Sequence, residues 1–135
     1  MIPIHSVLVV DDDDLLLKTI AKSLAFAGYD VTTASAGVQG YASFFRRPTT
    51  WVVSDIQMPD LSGIEMMCCI RGIAPTVKTI YISGAIEDYS EQLRAEEVQF
   101  GARILAKPFA LKALLEMMKR PRPYAPNMAV GARIV

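Results

Sequence analysis

Acidic and basic side chains stand at the ends of apolar runs in this chain. Val7-Leu8-Val9-Val10 leads into Asp11-Asp12-Asp13-Asp14, Trp51-Val52-Val53-Ser54 leads into Asp55, and Ile104-Leu105-Ala106 leads into Lys107. A fourth run, Ile80-Tyr81-Ile82, ends at Ser83. If each run is a strand of an open α/β sheet, these groups share the carboxyl edge, where the strands stop and the loops form a crevice. Carboxylates gathered there repel one another by ~4 kcal/mol per pair at 4 Å and an effective dielectric near 20, so the arrangement needs a cation. An oxygen-rich site without histidine or cysteine suits a hard divalent ion, and Mg²⁺ takes one or two carboxylates together with waters and phosphate oxygens.

The elements that must position these groups can be read from periodicity. Short, nearly continuous apolar runs at 6–10, 51–53, 79–82 and 103–106 suit parallel strands buried on both faces, and Asp30–Ala34 is a weaker fifth strand. Helical spacing fills the intervals. Leu16, Ile20, Leu24 and Ala27 predict a first helix that Asp13 or Asp14 starts, with Asp14 assigned to capping, and that Gly28 ends. Further helices are expected near 37–46, stopped by Pro48, from Ser62-Gly63 to about Gly72 with Ile64, Met67, Cys68 and Ile70 on its apolar face, over 88–99, and over 110–119. Five βα alternations imply a doubly wound α/β fold, with a parallel sheet and helices on both faces.

Size and charge narrow the function classes. At 135 residues and 52% hydrophobic, the chain holds one domain with a genuine core. Its 14 basic and 14 acidic residues cancel, so no overall field draws it to nucleic acid or to an anionic membrane. No apolar stretch approaches the roughly 20 residues that span a bilayer, and the start of the chain lacks a signal-peptide pattern, which makes a cytoplasmic location the expectation. Cys68 and Cys69 are adjacent, without metal or redox spacing, and are read as reduced residues packed on a helix. His5 has no ligand neighbours and is read as structural. Residues 120–135, with Pro121, Pro123 and Pro126, read as an extended tail or the start of a linker after a domain over 1–119.

Each of these features is ordinary alone. A run of Asp is often a solvated helix start, a strand-end Lys a surface residue, and Ser83 a turn former. Their joint order, each at the end of an apolar run, resembles the receiver domain of two-component response regulators over about residues 5–119. The resemblance implies a flavodoxin-like five-stranded parallel sheet in the order 2-1-3-4-5. It also implies that Asp55 is the phosphoacceptor and nucleophile, that Asp12, Asp55 and the backbone carbonyl of Gln57 bind Mg²⁺ directly, and that Asp11 acts through a bound water. Lys107 would neutralise the phosphoryl oxygens, Ser83 would donate to them, Gly84 would leave room, and the Lys107-Pro108 bond would be cis. The partner would be a sensor histidine kinase or a histidine phosphotransfer protein, with a possible homodimer through the face formed by residues 88–119 and no direct nucleic-acid contact. The domain would promote its own phosphorylation and dephosphorylation only.

One position departs from the family pattern. Receivers carry Tyr or Phe three residues before the conserved Lys, and here that position is Ile104, so the usual ring of the output switch is absent. Ile104 keeps a second reading open, a phosphorylation-independent pseudo-receiver that only binds partners. A haloacid-dehalogenase-type phosphatase would account for Asp11-x-Asp13, but Leu15 stands where that family prefers Thr or Val, and no carboxylate follows Lys107 until Glu116. The chain is read as a stand-alone receiver or as one excised from a longer protein.

Overall fold

The computed structural model describes residue 2 and residues 5–119, so the expected tail over 120–135 lies outside the described residues. Five strands, β1 (Ser6–Val10), β2 (Asp30–Ala34), β3 (Trp51–Asp55), β4 (Lys78–Ser83) and β5 (Arg103–Ala106), form one parallel sheet in the order β2-β1-β3-β4-β5. The helices are α1 (Asp14–Phe26), α2 (Gly37–Arg46), α3 (Gly63–Ile73), α4 (Ser90–Phe100) and α5 (Leu111–Lys119). Among the described residues no helix is long and apolar enough to cross a membrane.

Strand alternation sorts the interior into two layers. Val7 and Val9 of β1, Trp51 and Val53 of β3, and Ile80 and Ile82 of β4 pack against Leu17, Ile20 and Leu24 of α1 and Leu114 and Met118 of α5. The intervening residues Leu8, Val10, Val52 and Tyr81 face Phe44 of α2, Met66, Met67 and Ile70 of α3, and Leu93 of α4. Both layers follow from the two-residue period of strands and the 3.6-residue period of helices. The central strands β1 and β3 are buried along their whole length, whereas the edge strands β2 and β5 are partly exposed.

Several local expectations change. Asp13, not Asp14, caps α1, because its extended backbone lets the carboxylate accept from Leu16 N at 3.2 Å while Asp14 is already helical. Gly28 follows the C-cap Ala27 at φ +100°, a conformation that only glycine adopts without cost, and Ala27 itself is exposed. Cys68 and Cys69 are both exposed, and the buried face of α3 is Met66, Met67, Ile70 and Arg71 instead. The helix expected over about 88–99 is α4, which begins at Ser90 after a 3₁₀ turn at Ile86–Tyr89. His5 is exposed and meets Tyr29 edge to face at 5.8 Å between ring centres, a packing contact.

Arg71 is buried because α4 supplies its partner. Its Nη2 lies 2.6 Å from Glu96 Oε1, both side chains being about nine-tenths buried, and the guanidinium stacks on Phe100 at 3.8 Å. Tyr81 of β4 donates its hydroxyl to the same Glu96 oxygen at 2.5 Å. Burial, followed by the hydrogen bond and charge of Glu96, holds the Tyr81 phenol far above its ordinary value, so it stays a neutral donor. Three elements therefore meet at one carboxylate. Glu96→Ala would strand a buried cation and should destabilise the fold by ~3–5 kcal/mol, whereas Tyr81→Phe removes one hydrogen bond and should cost ~1 kcal/mol. Urea unfolding of the two variants checks the ranking, and equal losses would contradict it.

Candidate acidic site at the carboxyl edge of the sheet

Parallel pairing of β1 with β3 sets two acidic strand tips side by side. Val10 is in register with Ser54, so Asp11 and Asp55 follow at the same level of neighbouring strands. Asp11 is fully buried and Asp55 is 7% exposed. The two carboxylates are held by their own loops. Asp11 Oδ1 accepts from Asp13 N at 2.9 Å, and Asp55 Oδ1 accepts from Ile56 N at 2.8 Å. Gly63 N donates to Ile56 O at 2.8 Å, and this close return of the chain leaves no space for a side chain, since a Cβ on Gly63 would overlap the Asp55 carbonyl.

The lysine arrives from the far side of β4. Ser83 pairs with Ala106, which brings the next residue, Lys107, over the tips of β3 and β4. Its Nζ lies 3.2 Å from Asp11 Oδ2 and 3.3 Å from Asp55 Oδ2. The Lys107-Pro108 bond is cis, and Lys107 N donates to Ser83 O at 2.8 Å. Ser83 is buried, and its Oγ accepts from Ala85 N at 2.9 Å, which folds the loop after β4 back toward the site.

Burial raises the Asp55 pKa, and the Asp11 charge raises it further; Lys107 and the Ile56 N–H act in the opposite direction without cancelling these effects. For Lys107, burial works to lower the pKa, but the charges of Asp55 and Asp11 outweigh it and the net direction is up. The ammonium therefore persists through the neutral range. One lysine serves both acids: the ammonium at 3.2 Å is the close partner of the buried Asp11 Oδ2, and it is shared with Asp55. Asp11, Asp12 and Asp55 each place an oxygen within 4.8 Å of the others, with Asp12 exposed at the rim. All-oxygen donors and three carboxylates facing a single ammonium together fit a hard divalent cation.

All the side chains expected from the sequence thus come to one edge, and Asp12 shares a cleft of about 380 Å³ with Gln57, Met58, Pro59, Ser62 and Tyr89. Ile104 is partly buried and stands in register with Tyr81 on the neighbouring strand, so the aromatic ring at this level of the sheet belongs to β4. Sequence reasoning missed Asp60. Its carboxylate caps α2 across the fold, a contact between residues 23 positions apart that no local motif announces.

The family model described as the response regulator receiver domain matches residues 7–119. The response regulator receiver protein CpdR of Brucella abortus is 30% identical over 118 residues, covering 84% of this chain and 93% of CpdR. Response regulator MprA of Mycobacterium tuberculosis is 33% identical over 131 residues, which are 92% of this chain but only 56% of MprA. The solved receiver domain of sensor histidine kinase PA1611 from Pseudomonas aeruginosa has a magnesium ion in its active-site cleft. It superposes with a TM-score of 0.75 at 25% identity, covering 86% of this chain and 95% of that one.

The raised Asp55 pKa has a consequence for stability. A carboxyl whose folded value lies above its unfolded one costs stability once ionised, and that cost grows as pH rises from the unfolded value near 4 through the folded value. Asp55→Asn keeps the acceptor for Ile56 N and removes the charge. Without divalent cations at pH 7 it should stabilise the fold by on the order of 1 kcal/mol, and the gain should vanish below about pH 4. Thermal unfolding across that range tests the sign.

Proposed function

This chain belongs to the response regulator receiver domain family, the signalling modules that sensor kinases phosphorylate in two-component systems, and on that premise we propose that Asp55 is its phosphoacceptor. The observation that carries the proposal is Lys107 Nζ lying within 3.3 Å of both Asp11 and Asp55 at the mouth of the sheet edge. An Asp55 carboxylate oxygen attacks the phosphorus of a phospho-histidine. The new P–O bond forms an acyl phosphate as the P–N bond breaks, and the imidazole of the donor leaves.

The residues of this chain supply position and charge, on which phosphoryl transfer chiefly depends. Lys107 neutralises the oxygens of the transferring group. The Ser83 hydroxyl donates to them once they are attached to Asp55, and Gly84 keeps the approach open. Asp12, Asp55 and the Gln57 carbonyl would hold Mg²⁺ directly and Asp11 would support it through water, and the ion would offset the charge shared by carboxylates and phosphate. Water attack on the phosphorus of the acyl phosphate at the same site breaks the bond to the Asp55 oxygen, releases inorganic phosphate and returns Asp55 to its free form.

The donor is a sensor histidine kinase or a histidine phosphotransfer protein, and the setting is cytoplasmic. The receiver unit covers 1–119. Phosphate on Asp55 draws Ser83 and the loop to Ala85 inward, because its oxygens demand donors. That movement reaches the 3₁₀ turn at Ile86–Tyr89 and α4, and the face over 88–119 is where a partner or second copy reads it. Direct nucleic-acid contact has no part in the reading.

Beryllofluoride or acetyl phosphate with Mg²⁺ should occupy or modify Asp55 in the native protein and not in Asp55→Ala, as mass spectrometry and fluorine NMR can establish; equal labelling would refute the assignment. Lys107→Ala should bind Mg²⁺ at least as tightly, since a competing cation is gone, yet take phosphate from acetyl phosphate on the order of 10²-fold more slowly.

A further inference from the structure

The donors of the site come from two loops. Asp11 and Asp12 follow β1, whereas Asp55 and Gln57 belong to the segment between β3 and α3, and their separation must be fixed if both are to meet one ion. Sheet pairing fixes Asp11 against Asp55, but Gln57 lies two residues beyond the end of β3 and is exposed.

Asp60 supplies a second anchor for that segment. Its Oδ1 accepts from Gly37 N at 3.0 Å and its Oδ2 from Val38 N at 2.9 Å, the first two N–H groups of α2. The helix has no cap of its own, because its N-cap residue is Ala36. A free carboxylate at a helix N-terminus meets unpaired donors and the positive end of the dipole. In agreement, the N–H of Val38, first, and those of Leu61 and Gly37 hold the Asp60 carboxyl below its ordinary value. Gly37 permits the approach, since a Cβ there would collide with Leu61.

The far side of this contact is the strand that carries the other donors. A Cβ on Gly40 of α2 would lie 3.0 Å from Val10 Cγ2 and 2.6 Å from Met66 Sδ, so the helix is wedged directly against the last residue of β1 before Asp11. Asp60 therefore ties the Gln57 segment to a helix that is itself referenced to Asp11 and Asp12. The geometry points to Asp60 as a positioning residue that, by capping α2 from the β3–α3 loop, sets the Gln57 carbonyl against Asp12 for metal binding. The inference rests on the metal site proposed above.

Calorimetric titration with MgCl₂ separates the two. Asp60→Ala should bind Mg²⁺ about tenfold more weakly while remaining folded, the size of effect seen when an outer partner of a ligand is removed. Asp60→Asn, which retains one acceptor oxygen but no charge, should stay within about threefold of the native protein. Gly28→Ala is strained by its φ of +100° at the opposite end of α1, and it should lose thermal stability with no change in Mg²⁺ affinity. Asp12→Ala serves as the reference that loses binding. Native affinity in Asp60→Ala beside lost binding in Asp12→Ala would overturn the positioning role and leave the site intact. Equal weakening of Asp60→Asn and Asp60→Ala would assign the effect to charge and overturn it as well. If Asp12→Ala itself bound like the native protein, the metal site and this inference would fall together.

Discussion

Two buried carboxylates on adjacent strands are the constraint to which the rest of the structure answers. Asp11 and Asp55 are placed side by side by the pairing of β1 with β3, an arrangement that water would disperse and that only a rigid frame sustains. The frame is the apolar sheet interior below them, where Val7 to Val10 and Trp51 to Val53 are almost wholly excluded from solvent. Fully burying a single Val or Leu side chain contributes about 1.5–3 kcal/mol, so a few such residues outweigh one repulsive pair. Lys107 then reaches the acids from β5 across β4, which explains why the strand order matters to the chemistry.

A frame that holds like charges together is stable in spite of its site. The strain sits in the side chains at the edge, and the backbone beneath them is ordinary parallel sheet. Function and stability are thereby assigned to different layers of the same strands. The end of β3 shows the division at the scale of single residues: Ser54 Oγ donates to the Asp55 carbonyl at 2.7 Å, while the Asp55 carboxylate meets the Lys107 ammonium. Ser62 and Glu65 close a reciprocal capping box at the start of α3, so the segment that carries the site is fastened at its exit.

The strand tips were legible in the sequence because short apolar runs ending in a charged or hydroxyl residue have few alternative readings. Asp55, Ser83 and Lys107 could be assigned to one edge from that signal and from the family resemblance together. The errors have physical causes. On α3 helical spacing alone put Cys68 on the expected apolar face, whereas Arg71 is buried in the structure; the partner that makes its burial acceptable, Glu96, lies 25 residues further on. Four consecutive Asp residues offered no local basis for choosing the cap of α1. The choice depends on Asp11 turning inward to the lysine, which is a tertiary fact. Asp60 lies in the loop after Pro59, and its role as a cap went unread because the N–H groups it serves are remote in sequence.

The attachment of α4 differs in kind from that of the other helices. It buries Leu93 and Glu96, and it is secured largely by an ion pair, a phenol and a stacked guanidinium. Exposing apolar surface raises the heat capacity, whereas exposing polar surface lowers it. Local separation of α4 would thus carry a small heat-capacity change, and its free energy would vary little and almost linearly with temperature, beside the curved profile of the whole domain. The hydration that competes for its charges also weakens on warming. Near the temperature of greatest stability, then, α4 would open at a free energy well under that of global unfolding, and the two levels would draw together as the domain nears its melting point.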